Sequence, residues 1–168
     1  QSIKNGESKP DVASVTPISQ PAQADQVHVE PPPPAPLPDW NVWAVDLPTE
    51  IRQASLSYVQ KLAPTWKPTY RRNRALGVLS EVKHFWDWQL ARRPITQPAQ
   101  LSLHDLQAYQ TDFKAAKKQN TTINRRLDYV MGILRQLDDQ GQPIDPSVFR
   151  LHILPRPESL PHYLSDPE

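Results

Sequence analysis

The chain has 168 residues, 38% hydrophobic and 22% charged, with twenty prolines, four glycines and no cysteine. That length suits one domain with tails, and the missing cysteines exclude a disulfide scaffold and thiolate-ligated zinc. The formal charge of +1 hides an uneven spread: residues 1–48 carry two lysines against six acids, residues 49–140 fifteen Lys/Arg against eight acids, and residues 141–168 two basic against four acidic residues. A basic middle favours a polyanionic partner. No run of about 18 apolar residues could span a membrane, and the start, QSIKNGESKP, has no apolar signal core.

Residues 1–38 hold nine prolines, with Pro31 to Pro34 in succession, and sparse apolar residues without a period. Such a segment buries too little surface to offset its chain entropy. Residues 1–47 are therefore expected to form a disordered Pro-rich leader that ends in a polyproline II piece. Trp40, Trp43, Val45 and Leu47 follow, and the two tryptophans are expected to tuck against the domain and mark where order begins.

A first helix is predicted from Thr49, as its cap, to about Ala63, closed by Pro64, with Ile51, Ala54, Tyr58, Val59 and Leu62 as its buried stripe. A second opens near Lys67–Pro68–Thr69 and runs to about Arg92, where Pro94 stops it. Leu76, Leu79, Val82, Trp86 and Leu90 lie on its core side. Lys67, Arg71 and Arg74 form a basic stripe beside it with no acid nearby to pair at i,i+4. The plain alternative is a solvated surface on which arginine stems cover apolar neighbours. After a loop over 93–101, Ser102 caps a third helix with Asp105 at the capping-box position, and Leu106, Tyr109 and Phe113 are buried. Lys114, Lys117 and Lys118 cluster at its end, where positive charge complements the helix dipole.

The fourth helix, NTTINRRLDYVMGILRQLDD over 120–139, has the clearest period. Ile123, Leu127, Val130, Met131, Leu134 and Leu137 recur every three or four residues, and Gly141 is placed just past the end. At about 100° per residue, Thr121, Arg125, Tyr129 and Gly132 fall opposite that stripe, flanked by Thr122 and Arg126. Hydroxyls and guanidiniums at a helix start suit phosphate; an ordinary solvated face is the bland alternative. The last stretch, with six prolines from Pro143 to Pro167, reads as an extended connector. No strand-like alternation occurs, so the fold class is all-α: four helices in a compact bundle over 48–150, then a linker over 151–168.

The order of these pieces resembles a known module. A basic helix, then LSLHDLQAYQTDF, then TTINRRLDYVMGILRQLDDQGQPIDP, then Leu160–Pro161 and Leu164–Ser165 is similar to the SAM-like core-binding domain of tyrosine recombinases, the phage and transposon integrases. The resemblance covers about 49–168. It implies a bacterial, cytoplasmic protein that associates with the nucleoid when bound and works as a homo-oligomer on double-stranded DNA. The second and fourth helices would face the major groove, while the protein's own catalytic domain, beginning about where this chain ends, would grip the opposite side. The contact positions it implies are Lys67, Tyr70, Arg71 and Arg74 on one helix and Thr121, Thr122, Asn124, Arg125, Arg126 and Tyr129 on the other. Asn124 borders the core face and is also suited to bracing.

The family's tyrosine nucleophile and its arginines lie in the catalytic domain, so no catalytic residue is expected here. No His-x-x-Arg box is present, and Tyr163 is poorly placed as a nucleophile. The five histidines have no metal-ligand spacing, and no glycine-rich phosphate loop or other cofactor motif stands out. Two other functions are carried as alternatives. One is a helical protein–protein interaction module; the other is a helix-turn-helix regulator, against which the third and fourth helices are read as lacking a short Gly-containing turn.

Overall fold

The computed structural model describes residue 39 and residues 42–157, so most of the leader and residues 158–168 of the linker lie outside the described residues; the end of the expected leader, from Val42 to Leu47, is instead folded in turns with Ala44 and Leu47 buried. Four helices carry the fold: α1 (Thr49–Leu62), α2 (Arg71–Arg92), α3 (Leu103–Ala115) and α4 (Asn120–Asp139). Short 3-10 turns at Ala63–Thr65, Pro68–Tyr70, Pro98–Gln100 and Pro146–Arg150 join or follow them. No strand occurs among the described residues. α4 lies at the centre and packs on each of the other three, most extensively on α2.

The core is built from the predicted periodicities with local shifts. All six stripe residues of α4 are buried, and Ile133 joins them. On α1, Ile51 and Val59 are buried as expected. Leu56 and Ser55 also face inward, whereas Ala54 and Tyr58 pack only partly against the core. Ser55 is tolerated there because its hydroxyl donates to Ile51 O at 2.8 Å and accepts from Trp86 Nε1 at 3.0 Å, so no polar atom is left unpaired. Trp86 and Phe85 are fully buried and pack edge to face, with ring centroids 5.2 Å apart. Leu76, expected on the core side of α2, is 41% exposed. Ala75 and Val78 take that side instead, a small rotation of the predicted stripe.

The helix ends show which signals were used. Thr49 is the first residue of α1 rather than its cap; Pro48 precedes it, and no side chain caps the helix. At α3 the predicted box forms in full: Ser102 Oγ accepts from the Asp105 N–H at 3.3 Å, and the Asp105 carboxylate accepts from the Ser102 N–H at 2.9 Å. Asp105 is only 1% exposed and also pairs with Arg92 and Arg93 from the end of α2, which ties α2 to the start of α3. The α3–α4 connection is four residues, Ala116 to Gln119, without a glycine, so Lys117 and Lys118, expected at the end of the third helix, lie in the turn. Lys117 takes the left-handed conformation there, at φ +59°. Gly141, at φ +85°, closes α4, and the Gln142 N–H reaches back to Leu137 O.

Beyond Gly141 the chain is not simply extended. Ile144 and Val148 are buried, and the Asp145 side chain caps the turn at Pro146–Arg150 through the Ser147 N–H. Residues 151–157 then run back along α3 and α4 as a strap. Gln110 Nε2 donates to His152 O, Asn124 Nδ2 to Leu154 O and Asn120 Nδ2 to Pro155 O, each at 2.8 Å. No helix among the described residues is long and apolar enough to cross a membrane.

Candidate functional site

The site begins where α1 hands over to α2. Trp66 is in extended backbone, and Lys67 precedes the proline turn into α2. Arg71 folds back: its Nε donates to Trp66 O at 3.0 Å and a terminal nitrogen to Pro64 O at 3.3 Å. A cation thereby caps the carbonyl end left by α1 and its 3-10 turn. One turn on, Arg74 is exposed, and its guanidinium carbon lies 5.7 Å from the centre of the Trp66 ring. Lys67 and Tyr70 are exposed.

The fourth-helix residues divide in two. Thr121 is exposed, Thr122 and Tyr129 are half-buried, and Arg125 keeps half its side chain in solvent while donating to Glu81 of α2 at 3.2 Å. Asn124 and Arg126, both contact positions by the resemblance, turn inward, and Asn124 takes the bracing role that its place beside the core face also suited. Asn124 is 6% exposed, with its amide used on both sides by the Leu154 backbone. The Arg126 side chain is 13% exposed. It donates to Glu81, to the Tyr109 hydroxyl at 3.2 Å and to His84 Nδ1 at 3.1 Å.

This network sets the local ionisation. Burial pushes Glu81 up, but Arg126 and then Arg125 outweigh it and hold the carboxyl below its usual range. Burial, followed by the Arg126 charge, pushes His84 down. A neutral ring at pH 7 leaves a nitrogen free to accept from Arg126. Burial raises the Tyr109 hydroxyl against the opposing pull of Arg126.

Between α2 and α4 the surface opens into a cleft of about 550 Å³ that Arg74, Arg125 and Tyr129 line together with Trp66, Tyr58 and Glu81. Trp66 and Arg74 also line a neighbouring cleft with Lys67 and Tyr70. At the other end, Arg125 and Tyr129 share a third with Thr121, Asp128 and Arg156. Six predicted residues are thus brought onto one continuous face: Thr121, Arg125 and Tyr129 from α4, Arg74 from α2, and Lys67 and Tyr70, expected on the second helix, from the 3-10 turn that leads into it. Arg71 and Thr122 border that face without lining these clefts, and Asn124 and Arg126 lie beneath it.

Arg156 and Glu81 are among the charged members of the face that were not foreseen. Arg156 comes from the proline-spaced tail, where nothing in the local pattern marks it, and it arrives only because Asn120 and Asn124 hold the strap. Glu81 is one of the few acids on α2, and its lack of an intrahelical partner was the available signal. Four cations, Lys67, Arg74, Arg125 and Arg156, stand here with two carboxylates, Glu81 and Asp128, among exposed and half-buried aromatic rings. Such a surface suits a polyanion that also offers flat apolar faces. No family model matches the chain, nor does any curated protein or solved structure.

Proposed function

We propose that this chain binds double-stranded DNA through the face made by α2 and α4, as the core-binding domain of a site-specific tyrosine recombinase whose strand-cutting residues lie elsewhere. One observation carries the reading: Arg74 of α2 and Arg125 of α4 line a single cleft, with Lys67 beyond one end and Arg156 beyond the other. Cations spaced along one face neutralise successive phosphates. Arg125 is already held in the cleft by Glu81, so less side-chain entropy is lost when it meets a phosphate or a base edge.

The test is fluorescence anisotropy on duplex DNA at low salt with the full 168-residue chain. Replacing Arg74 and Arg125 together with alanine should weaken binding by about 2–4 kcal/mol while leaving far-UV dichroism unchanged. Equal affinity for wild type and double variant would remove the face from consideration.

A helix-turn-helix regulator is the second reading, favoured by the four-residue α3–α4 turn. In that arrangement α4 alone enters the groove, so Arg74→Ala by itself would be silent. In the first arrangement it is not.

A further inference from the structure

At the start of α2, a cleft of about 570 Å³ is lined by Thr65, Trp66, Lys67, Tyr70, Asn73 and Arg74. That volume is within the range of small-molecule sites. Packing accounts for Trp66, which rests partly buried against the core, but not for the other members of this cleft. The core side of α2 is carried by Ala75, Val78, Leu79, Val82, Phe85 and Trp86, whereas Tyr70 leaves 59% of its surface in solvent. The Lys67 ammonium, the Tyr70 hydroxyl and the Asn73 amide have no hydrogen-bond partner among the described residues. Arg74 faces the Trp66 ring and is otherwise uncommitted. Two aromatic rings, two cations and a free carboxamide therefore converge on one opening.

Each of these groups has a counterpart in a nucleotide. Aromatic faces and guanidinium planes stack on any base. A carboxamide can pair two-pronged with the N6/N7 edge of adenine. A lysine on a flexible stem reaches a phosphate as a point charge. A paired duplex offers phosphates but no free base face, so it would satisfy Lys67 and Arg74 and leave Tyr70 and Asn73 without partners.

We propose that this cleft takes one unstacked nucleobase with its phosphate: the base on Tyr70 and the Trp66–Arg74 pair, its edge at Asn73 and its phosphate at Lys67. The inference rests on the nucleic-acid reading above and deepens it, since a duplex would present an unpaired nucleotide here while lying along the rest of the face. The same chemistry is offered by a free mononucleotide, and the experiment separates the two sources.

Anisotropy titrations with the full chain compare a fully paired duplex with the same duplex carrying one extra, unpaired adenosine. Adenosine monophosphate is titrated separately by amide NMR. Wild type should prefer the bulged duplex on the order of tenfold. Tyr70→Ala should abolish that preference, Tyr70→Phe should keep it, and Asn73→Leu should reduce it for adenosine relative to an unpaired thymidine. Both positions are on the surface, and dichroism checks that each variant folds.

Equal affinity for both duplexes overturns the base site and leaves duplex binding standing. If neither duplex binds but adenosine monophosphate shifts the Tyr70 and Asn73 resonances, the duplex reading falls and the cleft stands as a mononucleotide site. No response to any probe overturns both.

Discussion

Asp105 serves two elements at once. It completes the capping box of α3 with Ser102, and it receives Arg92 and Arg93 from the end of α2. Burial by itself would raise its carboxyl, but hydrogen bonds from Arg93, the Ser102 N–H and Arg92 more than offset that and hold it well below the ordinary carboxylate range. Because the folded pKa is depressed, the stabilisation is fully present above the unfolded value near pH 4. It drains away as pH falls below that, where the unfolded chain takes up the proton first. Asp105→Asn should therefore cost about 2–3 kcal/mol at pH 7. It should also flatten the loss of stability between pH 4 and pH 2, as read by urea unfolding at each pH. An acid limb as steep as wild type would contradict this account. The capping role was legible in the spacing of Ser102 and Asp105. The arginine pairing was not, since it depends on how the 93–101 loop folds back. Arg126 repeats the lesson. A helical wheel sets it beside Arg125, but only the neighbouring helices supply Glu81, His84 and Tyr109 to draw it inward.

At the scale of helices, Gly132 explains a residue that the apolar period leaves unaccounted for. A Cβ on Gly132 would lie 2.6 and 2.7 Å from Cζ and Cε2 of Tyr58, so α1 crosses α4 with a phenol ring seated on the glycine. In an isolated helix Gly→Ala gains about 1 kcal/mol. Here Gly132→Ala should instead lose about 1–2 kcal/mol, because the ring has to move out of a packed surface. Combining it with Tyr58→Leu should recover part of that loss, so thermal melts of the two singles and the double should show a coupling of opposite sign to the Gly132→Ala effect. A stabilised Gly132→Ala would show that the crossing is looser than described. The same scale accounts for Asn124 and Gln136, which are buried among the apolar residues of α4. Their partners, the Leu154 backbone and the Ser57 hydroxyl, come from segments 30 and 79 residues away. Periodicity marks a residue's angle on its own helix and carries no information about a partner at that distance.

For the molecule as a whole, the consequence of the strap is electrostatic. Lys67, Arg74, Arg125 and Arg156 meeting phosphates would give a log–log slope of affinity against salt of about −3.6. Arg156→Gln should lower its magnitude by about 0.9. Asn124→Ala, which contributes no cation, should produce a similar reduction by releasing the strap, and the double variant should lose no more than either single. Full additivity, or an unchanged slope in Asn124→Ala, would separate the strap from the binding face. The expected basic middle of the chain is thus completed by a residue from the segment whose overall balance is acidic.

The sequence alone determined that the described residues are helical, that four α-helices form among them, where proline and glycine end some of these, and which stripe of α4 is buried. All of these follow from local backbone preferences and from a 3.6-residue period that each segment carries within itself. The tertiary structure decided which cations stay on the surface and which serve as struts. An arginine reaches far enough to satisfy either role, and the choice depends on which carboxylates, carbonyls and rings the other helices bring within about 3 Å. It also decided that Arg74, Arg125 and Arg156 share a face, a relation set by how α2, α4 and the strap cross and by no property of any one of them.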